Sequence, residues 1–199
     1  MKIIGITGNI ASGKSTVSKI IADYFNFPLI NVDDFSKNWI KTYELGVRSL
    51  FKRFDIPEVG TVQDTLKAYF FKHEKLKNIL ETGVSDDFWD YISVLGDTEI
   101  YNTIIIEHPL MFERGATEFF DYIIGVDANY TVRLDRMQKR GYTPETIYER
   151  VNAQKSLEYN KDKLDLLIDT STYPTNEQII QQIQNSRSFK DLLSSTSVS

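Results

Sequence analysis

Nine residues close to the start of the chain restrict its possible folds more than any other stretch. Gly8-Asn9-Ile10-Ala11-Ser12-Gly13-Lys14-Ser15-Thr16 satisfies the pattern G-x-x-x-x-G-K-[ST]. An apolar, β-branched run at residues 2–7 precedes it, and apolar residues recur at helical spacing from Val17 to Phe25. A phosphate-binding loop requires this order of strand, loop and helix, because its backbone N–H groups converge at the positive end of a helix. The sequence therefore predicts a nucleoside-triphosphate site.

The residue types in the loop indicate which part of a bound Mg-ATP each residue would contact. Lys14 can reach the β- and γ-phosphates of ATP as a point charge, and the Ser15 hydroxyl can ligate Mg²⁺. ATP and Mg²⁺ are thus the expected cofactors. All nine loop residues are predicted to line the nucleotide: Gly8, Asn9, Ile10, Ala11, Ser12, Gly13, Lys14, Ser15 and Thr16.

Length and composition limit the number of domains and the kinds of site that the chain can contain. The 199 residues, 41% of them hydrophobic, suffice for one α/β domain with a small inserted element. The absence of cysteine excludes disulfides and Cys-based zinc sites, and the net charge of -5 argues against general nucleic-acid binding. No apolar run is long enough to cross a membrane, and Met1-Lys2 leads directly into the first strand. These observations favour a cytoplasmic protein without a nucleic-acid or membrane partner.

Strand-like runs alternate with helical patterns, which favours a parallel, doubly wound sheet flanked by helices. The five runs are residues 2–7, 27–32, 103–106, 122–127 and 164–169. We predict a P-loop core at residues 1–35 and 96–187, with a small helical lid at about 133–160. Residues 36–95 read as a helical insertion, interrupted at Gly83, that binds the phosphoryl acceptor. Residues 188–199 read as a flexible tail.

Two acidic residues follow predicted strands and are candidates for chemistry. Asp33 is expected at the tip of the second strand, beside the loop of the first strand. There it could accept the proton of a hydroxyl acceptor or, with Asp34, cap the following helix. Glu107 follows a β-branched run and could hold Mg²⁺ through water or bond a neighbouring backbone group. The two histidines, His73 and His108, have no partners at metal-ligand spacing.

With these features, the chain resembles the dephospho-CoA kinase family from Met1 to about Ile183. The motifs that carry the resemblance are the loop itself, Asn31-Val32-Asp33, Pro109-Leu110-Met111-Phe112-Glu113, Arg150-Val151-Asn152-Ala153-Gln154 and Leu167-Ile168-Asp169-Thr170. The resemblance implies a nucleotide-kinase-like P-loop fold and transfer of the ATP γ-phosphoryl group to the 3′-hydroxyl of dephospho-CoA, giving CoA and ADP. It places the catalytic base on Asp33 and a lid arginine on Arg140, with Lys14 at the phosphates. It also implies nucleotide contacts for Arg150 and Gln154, and leaves Arg133 and Arg136 as structural residues.

The chain departs from the family pattern at several positions. Asn9 and Ala11 replace loop glycines, Thr170 replaces an asparagine on the adenine side, and Glu81-Thr82 falls where the family carries a His-Pro pair. Two alternatives therefore stay open. One is a (deoxy)nucleoside-monophosphate kinase, whose acceptor phosphate would need arginines such as Arg48 and Arg53. The other is a nucleotide-binding module without catalysis.

Overall fold

The three-dimensional structure, a computed structural model, describes residues 1–153 and 157–194. The strands are β1 Lys2–Gly8, β2 Leu29–Asn31, β3 Thr103–Glu107, β4 Tyr122–Asp127 and β5 Leu166–Asp169. The α-helices are α1 Lys14–Phe25, α2 Val32–Thr42, α3 Glu44–Arg53, α4 Val62–Tyr69, α5 Glu74–Asp97, α6 Tyr130–Lys139, α7 Pro144–Ala153, α8 Asn176–Asn185 and α9 Arg187–Ser194. Short 3₁₀ segments lie at Ala116–Phe119 and Leu157–Lys163. None of the described helices is both long and apolar enough to cross a membrane.

The five strands form one parallel sheet in the order β2-β3-β1-β4-β5, which confirms the predicted fold class. We expected the tip of the second strand to lie beside the loop of the first strand. That prediction was wrong, because β3 lies between β2 and β1. Glu107 is the register partner of Asn31 on one side and of Ile6 on the other. The carboxyl end of β3 is therefore the part of the sheet that adjoins the strand of the loop.

The chain divides into two compact units. The first contains residues 1–31 and the described residues from Glu99 onward, and the second contains Val32–Thr98. The predicted boundaries lay at 35/36 and 95/96. They differ because α2 begins directly after β2 and α5 continues to Asp97.

Each unit has its own apolar core. In the first unit, residues of the sheet pack against α1, α8 and α9: Ile4, Ile6, Val17, Ile21, Ile105, Tyr122, Ile124, Val126, Ile168, Ile179, Ile183 and Phe189. In the second unit the buried cluster comes from α3, α4, α5 and the loop between α3 and α4: Val47, Phe51, Ile56, Val62, Leu66, Leu76 and Leu80. Both cores follow the apolar periodicity of their segments.

Helix α5 is continuous through Gly83, so the predicted interruption there was wrong. Position 83 favours glycine because the side chain of Trp39 packs closely against the helix there, within the second unit. A Cβ atom at Gly83 would lie 3.0 Å and 3.2 Å from two ring atoms of Trp39. The Trp39 indole N–H donates to the Asp87 carboxylate on the same helix at 2.7 Å. Gly83 thus provides space for an indole ring and does not end the helix.

The predicted flexible tail is helical over its first part. Helix α9 covers Arg187–Ser194, and residues 195–199 lie outside the described residues. Phe189 is buried, with its ring centroid 5.4 Å from those of Phe25 and Tyr122. Leu192 and Leu193 pack against the same core as Phe189, so the apolar face of α9 explains why this helix docks.

Candidate active site

The glycines of the loop are required by close approach and by backbone conformation. A Cβ atom at Gly8 would overlap the Val126 carbonyl oxygen. Gly13, the residue before α1, has a φ of 97°, which favours glycine. Ala11 has a φ of 59° without being glycine, and its methyl group is buried with Met137 and Ile147. The alanine therefore combines a strained backbone with an apolar contact to the helices α6 and α7.

The predicted phosphate-binding lysine is held against the loop. The buried Lys14 ammonium donates to the Gly8 carbonyl at 2.9 Å and to the Asn9 carbonyl at 3.0 Å. Both acceptors belong to the same loop. The cation is thus positioned at the loop by the backbone that surrounds it.

The two predicted metal-site residues are in direct contact. The Ser15 hydroxyl donates to Glu107 Oε1 at 2.8 Å, although the two residues are 92 positions apart in the chain. Glu107 is buried at the carboxyl end of β3. In the described residues no three His, Cys, Asp or Glu side chains come together to form a metal cage. A hydroxyl beside one carboxylate suits Mg²⁺, which takes oxygen ligands and obtains most of them from water and phosphates.

Asn9 connects the loop to two distant parts of the first unit. Its side-chain amide donates to Asp127 Oδ1 at 2.9 Å, and its side-chain oxygen accepts from the Leu157 N–H at 3.3 Å. Asp127 Oδ1 also accepts from the Ala128 N–H. The sequence indicated only that Asn9 stands in a glycine position, and nothing near it in the chain predicts these partners.

Helices α6 and α7 pack on the loop through apolar residues. Around buried Ala11, Met137 and Ile147 lie the partly buried side chains of Ile10, Leu134, Tyr142 and Val151. The segment predicted as a lid therefore shares a small core with the loop.

The predicted nucleotide contacts of this segment are Arg140, Arg150 and Gln154. Arg140 follows α6, its side chain is exposed, and no partner for its guanidinium is found in the part of the chain that the structure describes. The exposed Arg150 lies over the Tyr142 ring, with Cζ 4.7 Å from the centroid. Gln154 lies outside the described residues.

Asp33 lies in the first turn of α2, in the second unit. Because α2 begins at Val32, Asp33 and Asp34 are inside the helix, so the interpretation of either as the cap was wrong. Asp34 forms an exposed ion pair with Lys37 at 2.8 Å. The Asp33 side chain makes no hydrogen bond or ion pair within the described residues.

His108, directly after Glu107, is buried and uncharged at neutral pH. Burial lowers the pKa of His108 from 6.5 to about 4, and the nearby Arg114 guanidinium lowers it as well. Its Nδ1 atom has no hydrogen-bond partner among the described residues. A neutral side chain at this position adds no positive charge beside Glu107.

The arginines that a phosphate acceptor would require are engaged within the second unit. Arg48 pairs with Glu44 at 2.9 Å and also with Glu58. The Arg53 guanidinium lies over the ring of Phe54. Glu81, at the position of the family's His-Pro pair, lies 3.9 Å from Lys77 on α5.

Comparison with known proteins assigns the chain to a family. A profile of the family described as Dephospho-CoA kinase matches residues 2–175. The chain belongs to the dephospho-CoA kinase family. The dephospho-CoA kinase of Fusobacterium nucleatum is 31% identical over 178 residues, which cover 85% of this chain and 90% of that protein.

Solved structures support the fold. TT1252 from Thermus thermophilus superposes with a TM-score of 0.80 at 22% identity, covering 98% of this chain and 97% of that one. A dephospho-CoA kinase from Campylobacter jejuni superposes with a TM-score of 0.64 at 24% identity, covering 92% and 96%. The chain therefore has the same fold as these two proteins.

Proposed function

We propose that the protein transfers the γ-phosphoryl group of ATP to the 3′-hydroxyl of dephospho-CoA, producing CoA and ADP. The observation that carries this proposal is the family match over residues 2–175. The contacts at the loop are consistent with it, since they bring together the residues that phosphoryl transfer requires at the donor. We expect the reaction in the cytoplasm, where ATP is available as the donor.

For the donor, Lys14, Ser15 and Glu107 are the principal residues of the proposal. Lys14 would neutralise charge on the β- and γ-phosphates, and Ser15, with Glu107 behind it, would hold Mg²⁺. Mg²⁺, when bound, supplies electrostatic stabilisation of the charge that develops on the transferred group. The Ser15–Glu107 hydrogen bond keeps both oxygens at one place before the nucleotide arrives.

For the acceptor, Asp33 is the proposed general base. The chain leaves β2 at Asn31, whose register partner is Glu107, and Asp33 follows two residues later. The family motif that matches Asn31-Val32-Asp33 supports the assignment of the base to Asp33. A carboxylate there can accept the proton of a hydroxyl nucleophile.

The remaining predicted nucleotide contacts extend the proposal to the helical lid. We assign Arg140 to the transferring phosphate, because its exposed guanidinium makes no ion pair within the described residues. Arg150 and Gln154 are assigned to the nucleotide on the basis of the family motif.

The nucleoside-monophosphate kinase alternative is not favoured. Its acceptor phosphate needs cationic side chains in the second unit, and Arg48 is already paired with Glu44 and Glu58. Breaking those pairs would cost part of the binding energy of the acceptor.

The proposal is tested by offering the purified protein Mg-ATP with dephospho-CoA and, separately, with each nucleoside monophosphate, while ADP release is followed. Rapid release with dephospho-CoA alone is expected. Turnover with a monophosphate alone would contradict the proposal. Lys14→Ala should lose activity with every acceptor, because it acts on the donor.

A further inference from the structure

Arg136 on α6 makes a set of contacts that the phosphoryl-transfer proposal does not use. Its Nη1 donates to the Ala11 carbonyl at 3.1 Å and to the Thr170 hydroxyl at 2.9 Å. Its Nη2 donates to the Thr170 carbonyl at 2.9 Å. The other side of the guanidinium lies over the Tyr173 ring, with Cζ 4.8 Å from the centroid. One side chain thus joins α6, the loop and the residue that follows β5.

The Thr170 hydroxyl links Arg136 to Ser12, the next residue of the loop. While it accepts from Arg136, it donates to the Ser12 carbonyl at 2.5 Å. Thr170 is itself fixed, since its N–H donates to the Asp127 carbonyl at 2.8 Å. Hydrogen bonds in such a chain polarise and strengthen one another. Two consecutive carbonyls of the loop, Ala11 and Ser12, are therefore held from one side.

Holding these carbonyls determines where the loop N–H groups point. In a trans peptide the N–H lies opposite the preceding carbonyl, so the Gly13 N–H faces away from Thr170. The same contacts hold Ala11 at its φ of 59°, a conformation that costs about 1 kcal/mol or more for a residue with a Cβ atom. These contacts therefore offset part of the cost of the Ala11 conformation.

We propose that Arg136 is a positioning residue for the phosphate-binding loop, acting through the Ala11 carbonyl and through Thr170 on the Ser12 carbonyl. A planar guanidinium with several fixed donors can hold both points at once, whereas a lysine ammonium offers one compact centre. This role differs from that proposed for Arg140, which would contact the nucleotide itself. The inference rests on the proposal that the loop binds Mg-ATP.

Arg136→Met tests the inference, because it keeps the length of the side chain and removes its donors. Isothermal titration calorimetry with Mg-ATP and with Mg-ADP should show dissociation constants raised by about 10- to 100-fold, as large as the loss found when an outer-shell partner of a metal ligand is removed. The KM for dephospho-CoA should stay within about twofold of wild type. Arg136→Lys should recover only part of the affinity.

Arg133→Met is the matched control on the same helix. Arg133 donates to the Ala128 carbonyl at 3.1 Å and lies over Tyr130, and none of its described contacts is to the loop. Its nucleotide affinities should remain within about twofold of wild type.

Thr170→Val provides a second test if Arg136→Met fails to fold, since it removes only the hydroxyl that connects Arg136 to Ser12. It should weaken Mg-ADP binding several-fold, and the double variant should lose less than the product of the two single losses. Wild-type affinity for Mg-ADP in folded Arg136→Met or Thr170→Val would overturn the inference. A wild-type protein that binds no Mg-ATP would instead overturn the proposed function.

Discussion

Asp33 and Asp34 are adjacent carboxylates in the first turn of α2, and the proposed chemistry needs only the first of them. Asp33→Asn keeps the size of the side chain but removes its ability to accept a proton. We expect kcat to fall by about 10²-fold or more while the affinity for ATP stays nearly unchanged. Steady-state kinetics with dephospho-CoA and calorimetry with Mg-ATP measure the two quantities.

Asp34→Asn is the control for this prediction, because Asp34 pairs with Lys37 on the exposed surface of the same helix. Its kcat should remain within about twofold of wild type, as is usual when an exposed ion pair is lost. Equal kcat values for Asp33→Asn and wild type would show that Asp33 is not the base.

The lowered pKa of His108 makes the stability of the protein depend on pH. Its pKa is about 4 in the folded protein and 6.5 in the unfolded chain, so the unfolded state alone binds a proton as the pH falls through 6.5. The free energy of unfolding should therefore decrease by about 3 kcal/mol from this residue between pH 7 and pH 4. Well above pH 6.5 the side chain is neutral in both states, so it does not change the free energy of unfolding. Urea titrations with a chelator present measure the effect.

His108→Leu removes the titrating group and keeps an apolar side chain of similar size. The difference in unfolding free energy between pH 7 and pH 4 should be about 3 kcal/mol smaller in this variant than in wild type. An unchanged difference would mean that His108 can be protonated in the folded state.

At the scale of elements, α9 is predicted to be an integral part of the first unit. Phe189→Ala should lower the free energy of unfolding by about 3–5 kcal/mol, because it leaves a cavity beside Phe25 and Tyr122. Tyr148→Ala is the control, since the Tyr148 side chain on α7 is exposed and its truncation should change stability by about 0.5 kcal/mol or less. Denaturant melts give both values. Equal free energies of unfolding for the two variants would show that the packing of α9 does not stabilise the first unit.

Helix α5 shows why some elements differ from their sequence pattern. Gly83 suggests an interruption because glycine weakens helices, but its role depends on Trp39, which lies on α2, far away in the chain. The packing of an indole against the helix decides the outcome. That contact is tertiary, and local propensity does not reveal it.

For the whole molecule, the sequence predicts the features that local patterns determine. The loop, the succession of strands and helices, and the inserted helical unit all follow from residues close together in the chain. The sequence also singles out Lys14, Ser15 and Glu107, because each adjoins a predicted strand or the loop motif, and their roles toward ATP and Mg²⁺ stay predictions.

The missed features depend on contacts between distant residues. The placement of β3 between β1 and β2 is a matter of strand pairing, which the order of the strands along the chain does not fix. Asn9 bonds Asp127 and Leu157, which are 118 and 148 positions away, and Arg136 reaches Ala11 across 125 positions. Such buried polar networks become visible only when the fold brings their members together.

The identity of the product shows whether dephospho-CoA receives the phosphoryl group and at which oxygen. Mg-ATP and dephospho-CoA are incubated with the protein, and the product is examined by ³¹P NMR spectroscopy and mass spectrometry. We expect one new phosphomonoester on the ribose 3′-oxygen for each ADP released. A new phosphoanhydride, or ADP and inorganic phosphate with unmodified dephospho-CoA, would contradict it.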